Sequence, residues 1–307
     1  MIDILLATCN SGNFLCEQLD SIVSQSVDSW RLLIRDGGST DHTLEIIRDY
    51  CRRFPEKIIF TGQGKASAKK NFSLLLAQSD SELIMFSDHD DVWFPDKIAV
   101  SLEEFKKLEA AHPAGTPLCV FSDALVTDEK LTVTNKSNLK RQNLDPKNGL
   151  ALSRLLVQNV PCGNTMLFNA ALRQLALPVP ADIVMHDHYL ALLCTTFGKI
   201  QFLDRPLLYY RQHKNNVLGS GQYSVFAMLK KLFCGRKFIQ ERFYANAEQA
   251  AALLAVHQNR LPEKDRLLLQ DFCRIRNTNW LNRKAIFFRH RIWKTGILRN
   301  IGMLLFI

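Results

Sequence analysis

Three carboxylates stand within four residues at Asp88-His89-Asp90-Asp91, directly after the apolar run 83–87. Carboxylates this close repel one another unless protons or a cation compensate. Asp oxygens are ligands that a hard divalent ion such as Mg2+ or Mn2+ accepts, usually alongside substrate phosphates. Metal binding is therefore favoured over a solvated turn for Asp88–Asp91, whereas Asp96, after Pro95, reads as a cap of the next helix. A second polar segment, Asp36-Gly37-Gly38-Ser39-Thr40-Asp41, suits close approach of backbone to a nucleotide, and a carboxylate there accepts hydrogen bonds from a base or ribose. Ser39 or Asp41 capping the following helix is the competing reading, and for Asp41 the two stand level. Thr8 and Asn10 close the first apolar run. Asp187, within Met185-His186-Asp187-His188-Tyr189, is either a general base or a helix cap. His186, Asp187 and His188 cannot converge on one ion, because consecutive helical residues point in different directions. Arg211 and His213 lie in a polar loop and suit a diphosphate or a metal shell, although a lone His is more often structural. The chain has no G-x-G-x-x-G and no Walker loop.

These groups need elements to hold them. Compact apolar runs at Ile2–Ala7, Trp30–Ile34, Ile58–Thr61 and Leu83–Ser87 alternate with helical patterns at 15–23, Thr43–Tyr50, Ala66–Gln78 and Lys97–Ala111. Continuous apolar strands separated by helices predict a mainly parallel sheet covered on both faces. Ligands of such sheets bind beyond the carboxyl ends of the strands, where Thr8, Asn10, Asp36 and Asp88–Asp91 all fall. Further on, strands are predicted at Leu118–Ser122, Thr165–Phe168 and Ile200–Leu203, and a helix at Asp187–Phe197. The polar stretch Thr132–Gly149 reads as a surface excursion. Beyond Gly221 the pattern is helical, broken at Pro262.

The 307 residues carry a net charge of +9, and the excess is local. Residues 1–229 hold 23 Lys and Arg against 25 Asp and Glu, whereas residues 230–307 hold 16 against 5. With the helical pattern beyond Gly221, the charge split predicts one domain over 1–221 and a basic helical region over 222–307. Eight scattered cysteines without a C-x-x-C pair argue against zinc ribbons and redox dithiols and suit a reducing compartment. No stretch reaches the roughly 18 apolar residues of a transmembrane helix. The opening residues lack the basic region of a signal peptide. A cytoplasmic location with peripheral membrane contact is expected.

Taken together, the segments resemble family 2 glycosyltransferases of the GT-A fold, in particular the bacterial rhamnosyltransferase-like branch that builds surface polysaccharides. The likeness covers about residues 1–220. Ile4-Leu5-Leu6-Ala7-Thr8-Cys9-Asn10 resembles the family's first strand, with Cys9 where Tyr is usual, and Gln18–Ser26 its first helix. Ile34–Asp41 resembles D-D-G-S-x-D with Gly37 for the second Asp. Asp88-His89-Asp90-Asp91-Val92-Trp93 resembles the D-Q-D-D-V-W form of the DxD motif, with His89 for Gln. His186-Asp187-His188-Tyr189 resembles H-D-W-W, and Tyr210-Arg211-Gln212-His213 with Asn216 resembles Y-R-x-H-x-x-N. The resemblance implies a nucleotide-sugar donor bound by Thr8, Asn10, Asp36, Asp88, His89 and Arg211. It implies a Mn2+ or Mg2+ ion at Asp90 and His213, and Asp187 as the base that deprotonates an acceptor hydroxyl. It implies inversion, a dTDP-rhamnose donor ahead of UDP-hexoses, and a lipid-linked glycan acceptor. Gly37 leaves the base or ribose preference open.

Two other classes compete with this reading. A nucleic-acid binder would use the basic C-terminal region, but no nucleic-acid module stands there and its arginines are mixed with bulky apolar residues. Placed on one helical wheel, 284–307 bring Ile286, Trp293, Ile297 and Leu304 to one side, with Lys284 and Arg291 nearly opposite, which suits an anionic bilayer surface better. Packing of that helix on its own domain is the plainer alternative. A catalytically silent sugar-nucleotide binder is disfavoured by the intact Asp90 and Asp187.

Overall fold

The computed structural model describes residues 1–214 and 236–307. They gather into two compact units. One takes Met1–Asn138, Pro161–Pro178 and the described residues from Lys199 to 214; the other takes Leu139–Val160, Val179–Gly198 and the described C-terminal residues. The boundary expected at 221/222, and Asn216, lie outside the described residues.

The first unit is built on a nine-stranded sheet, in the order β3-β2-β1-β4-β8-β6-β9-β5 with β7 beside β6. Strands β1 (Ile2–Thr8), β2 (Trp30–Asp36), β3 (Ile58–Gln63) and β4 (Leu83–Ser87) are parallel. Every residue of β1 is buried, as a central strand covered on both faces requires. Helices α1 (Leu15–Val23), α2 (Thr43–Arg53), α3 (Ala68–Gln78) and α4 (Lys97–Ala110) alternate with these strands as the periodicity predicts. The apolar sides of α1 and α2, with Leu15, Leu19, Ile22, Ile47 and Tyr50, share one core cluster with β1 and β2.

The remaining strands are β5 (Val92–Trp93), β6 (Leu118–Thr127), β7 (Val133–Asn135), β8 (Met166–Asn169) and β9 (Lys199–Arg211). β8 runs antiparallel to both β4 and β6, whereas β6 and β9 are parallel. The structure departs from the sequence pattern in three places. β6 and β9 run well past Ser122 and Leu203, because Asp123 and the Asp204-Arg205-Pro206 step interrupt the apolar runs at register shifts without ending the pairing. Tyr210 and Arg211 accordingly end a strand and are not loop residues. The stretch Thr132–Gly149 is no simple excursion: it contains β7 and a short helix α5 (Asn138–Arg141), and Ser137, Asn138 and Leu139 are buried. Ser137 Oγ donates to the buried Asp123 carboxylate, which gives this polar segment its anchor.

In the second unit, α6 (Leu152–Leu155) packs near α8 (His186–Phe197), while the short α7 (Ala170–Ala176) belongs to the first. The C-terminal residues form α9 (Arg236–His257), α10 (Glu263–Arg274), α11 (Trp280–His290) and α12 (Ile297–Phe306), with Pro262 at the start of α10. Residues 284–307 are therefore not one helix. Arg291 adopts a left-handed conformation (φ 52°) that ends α11, and Gly296 (φ 99°) precedes α12. The wheel drawn across that joint does not hold: Ile286 is buried, while Trp280, Leu281, Phe288, Ile297, Ile301 and Leu305 are exposed.

Candidate active site at the carboxyl ends of the strands

In the parallel register Thr8 lies beside Asp36, and Leu6 beside Ser87, so β1, β2 and β4 deliver their following residues to one edge of the sheet. The chain winds outward in opposite directions from β1 and β4, which makes this the switch point where open α/β sheets hold ligands.

At the β1–β2 side, Asp36 is fully buried and accepts hydrogen bonds from Thr8 Oγ1 (2.9 Å), Gly38 N (2.8 Å), Ser39 N (2.7 Å) and Ser39 Oγ (2.5 Å). Asn10, at a positive φ of 49°, donates its N–H to Ser39 Oγ at 2.7 Å and accepts from Thr40 N at 2.9 Å. The two loops are thus knitted into one rim, in which Thr8 and Asp36 are inner struts and Asn10 is exposed. Asp41 caps α2 through Thr43 N (3.1 Å) and also accepts from Gly12 N (3.0 Å). Its carboxyl is held below the usual range: those hydrogen bonds from Thr43 and Gly12 outweigh the burial that opposes them. At Gly37 a Cβ would stand 3.0 Å from Asn71 Nδ2, 3.1 Å from Thr8 O and 3.2 Å from Ala66 O. The glycine is what lets three segments close up here.

At the β4 side, the turn 88–91 separates its carboxylates. Asp90 Oδ2 lies 2.8 Å from His213 Nε2, and both side chains are mostly enclosed. Asp91 turns the other way. It is wholly buried, takes Asn164 Nδ2 and the Arg211 N–H, and burial together with the Asp90 and Asp88 charges pushes its carboxyl well above the usual range. Lys97, also wholly buried, donates to Asn164 O at 2.7 Å and stands over the Trp93 ring. Burial pulls its ammonium down to about 7 against the opposing attraction of Asp91. Asp88 and His89 are half-buried. Asp96 does not cap α4 with its side chain, contrary to expectation; it pairs instead with Arg205 at 2.6 Å.

Arg211 is 2% exposed in its side chain, and its guanidinium meets protein on every nitrogen: Nε on Asp90 O (2.8 Å), Nη1 on Glu129 O (2.5 Å) and Nη2 on Glu17. Glu17 and Phe14, whose ring stacks on His213 at 4.7 Å, carry no signal in the sequence. A glutamate in the first turn of a helix reads as ordinary surface charge, and its partner is 194 residues away. Asp187 belongs to the second unit, in the first turn of α8, where its Oδ1 accepts the His188 N–H at 2.7 Å. His186 and His188 are buried, and desolvation lowers them to about 3 and about 4. They are core residues.

Asp90 and His213 offer one hard oxygen and one imidazole nitrogen on a shared point. That donor set fits Mg2+ or Mn2+, which retain substrate oxygens and water in the rest of their shell. Among the described residues no cluster of three His, Cys, Asp or Glu is placed to hold an ion.

Comparisons with known proteins bear on the family and the fold. The profile of Glycosyl transferase family 2 matches residues 3–175, more than half of the chain. A dTDP-rhamnosyl transferase, RfbG of Shigella flexneri, is 29% identical over 235 residues, covering 70% of this chain and 74% of its own. Among solved structures, S. aureus TarS 1-349 in complex with UDP-GlcNAc superposes with a TM-score of 0.60 at 14% identity, over 99% of this chain and 90% of that one. The mannosyltransferase PcManGT from Pyrobaculum calidifontis, in complex with GDP-Man and Mn2+, reaches 0.54 at 14% identity, over 99% and 78%. The fold is the GT-A fold expected from the motifs. The chain belongs to glycosyl transferase family 2 and is a glycosyltransferase.

Proposed function

We propose that this glycosyltransferase moves a sugar, with inversion, from a nucleoside diphosphate to a hydroxyl of a growing bacterial surface glycan such as O-antigen or capsule. The carrying observation is the Asp90–His213 pair at the strand-end switch point, brought together across 123 residues. The rim formed by Asn10, Ser39 and Thr40 borders the nucleoside, and Asp88 and His89 face the sugar and diphosphate. Asp90 and His213 would hold a divalent cation, which would supply charge neutralisation for the departing diphosphate. Asp187 takes the proton from the acceptor hydroxyl as that oxygen bonds to the anomeric carbon and the carbon–diphosphate bond breaks. This role rests on the His186-Asp187 motif. The first turn of a helix favours an ionised carboxylate, which a base needs.

The favoured donor is dTDP-rhamnose, supported by the RfbG relative; a UDP-hexose is the alternative, supported by the fold shared with a UDP-GlcNAc complex. A panel of nucleotide sugars, assayed for binding and slow hydrolysis with Mn2+, with Mg2+ and in EDTA, tests the reading. Tightest metal-dependent binding of dTDP-rhamnose is expected. Tighter binding of a UDP-hexose reassigns the donor, and binding unaffected by EDTA removes the metal.

No helix among the described residues is long and apolar enough to cross a membrane. On α12, Ile297, Ile301 and Leu305 recur at every fourth position and are exposed, and on α11 so are Leu281 and Phe288. With 16 Lys and Arg against 5 Asp and Glu over 230–307, these faces suit an anionic leaflet. The region 222–307 is accordingly assigned to peripheral contact with the cytoplasmic face of the bacterial plasma membrane, where a lipid-linked acceptor resides.

A further inference from the structure

Arg211 sits where the family resemblance implies a contact with the donor diphosphate, yet its surroundings point elsewhere. A guanidinium has five N–H donors in a fixed fork. Here the Nε donor goes to the main-chain oxygen of Asp90, one Nη reaches Glu129 O, and the other forms an ion pair with Glu17 of α1. The cation also stands 4.8 Å from the centre of the Phe14 ring, and Phe14 stacks on His213. The Arg211 N–H binds Asp91. Three of these contacts end on one of the two cation-holding residues or its neighbour: the Asp90 backbone, the His213 ring through Phe14, and Asp91.

We infer that Arg211 is a positioning residue, and that Glu17, Arg211 and Phe14 form a brace that fixes Asp90 and His213 in register for a divalent cation. Glu17 holds the guanidinium in place by charge. Arg211 in turn fixes the Asp90 main chain, and Phe14 fixes the plane of the His213 ring. The cost of freezing two side chains from distant segments is thus met before any ligand arrives. Outer partners of this kind typically alter metal affinity by about 10–100-fold when removed. The inference rests on the Asp90–His213 cation reading, so its test has an arm that does not need the cation.

The variants are Glu17→Gln, Phe14→Leu and Arg211→Lys. Glu17 is half-exposed, so its conservative variant folds even where an Arg211 variant does not. Mn2+ binding to the protein alone is read by electron paramagnetic resonance, and UDP and dTDP binding in EDTA by calorimetry. The brace predicts Mn2+ affinity lowered about tenfold or more in Glu17→Gln, with metal-free nucleotide binding unchanged in all three. Unchanged Mn2+ affinity in Glu17→Gln overturns it. Loss of metal-free nucleotide binding in Arg211→Lys also overturns it, since that marks a direct diphosphate contact. If wild-type protein binds no Mn2+, the cation reading fails. The brace is then judged by the His213 ring resonances in the metal-free protein: a shift in Glu17→Gln supports it, and identical spectra sink it.

Discussion

Asp90 and Asp91 are neighbours in the chain with opposite surroundings: Asp90 meets His213 at 2.8 Å, while Asp91 is sealed against Asn164, the Arg211 N–H and the charge of Lys97. Two adjacent carboxylates have thus taken different work. One pairs with His213 in the proposed cation site, and the other ties the turn 88–91 to β9 and to the segment containing Asn164. Electrostatics requires some such division, because three ionised carboxylates crowded together without a cation repel one another.

Asp90→Asn should leave thermal stability close to wild type and lower Mn2+ affinity by about 10–100-fold. Asp91→Ala should do the reverse in kind, costing about 3–5 kcal/mol by stranding buried polar partners. Urea denaturation beside metal titration separates the two. Equal stability losses in both variants would contradict the division.

Asp187→Asn should bind donor as wild type does and transfer about 10²–10⁴-fold more slowly, the range associated with removal of a general base. Calorimetry with the nucleotide and a turnover assay with acceptor check this. An active Asn variant removes Asp187 from the role.

Acidification should destabilise the unit that holds His186 and His188. Their folded values, about 3 and about 4, lie below the unfolded value near 6.5. The unfolded chain therefore binds more protons between these limits. Stability is full above about pH 6.5 and falls as pH drops toward 4, by up to about 1.4 kcal/mol per pH unit for each histidine. Asp91, pushed upward, acts with the opposite sign, so the informative comparison is wild type against His188→Gln, in which Asp91 cancels. The variant should show a shallower pH slope in denaturation midpoints between pH 7 and 5. A slope as steep as wild type would refute the assignment.

The double variant Ile301→Glu/Leu305→Glu should lose flotation with vesicles rich in phosphatidylglycerol by at least about tenfold, since each exposed side chain contributes about 1.5–3 kcal/mol when buried. Neutral vesicles should bind wild type weakly, and oligonucleotides should not compete. Retained flotation in the variant would place the contact elsewhere.

Most of the first four strands and their helices were legible because burial on both faces leaves an uninterrupted apolar run such as Ile4–Ala7. The later strands were less so. Asp123 and Arg205 interrupt β6 and β9, yet hydrogen bonding carries both strands through, and pairing is not written in hydropathy. Of the candidate site, Asp90 and His213 were singled out from residue type and motif, and the structure brings the two together. Glu17 and Phe14 were not, because their partners lie at the far end of the sheet order. The joint at Arg291 also escaped, since a left-handed arginine leaves no compositional mark, although Gly296 five residues on was a hint.

The make-up of the second unit bears on how the chain can be shortened. Gln249 of α9 accepts the Val184 N–H at 2.7 Å, and Gln158 accepts the Thr295 N–H at 2.7 Å. Arg299 of α12 donates to the carbonyls of Gln142 and Asn143. Cutting the chain after residue 214 would therefore not release a tidy catalytic body from a basic tail. It would leave 139–160 and 179–198, the latter carrying Asp187, stripped of the helices that complete their hydrogen bonds. The last quarter of the chain is not a detachable anchor but part of the scaffold around the proposed base.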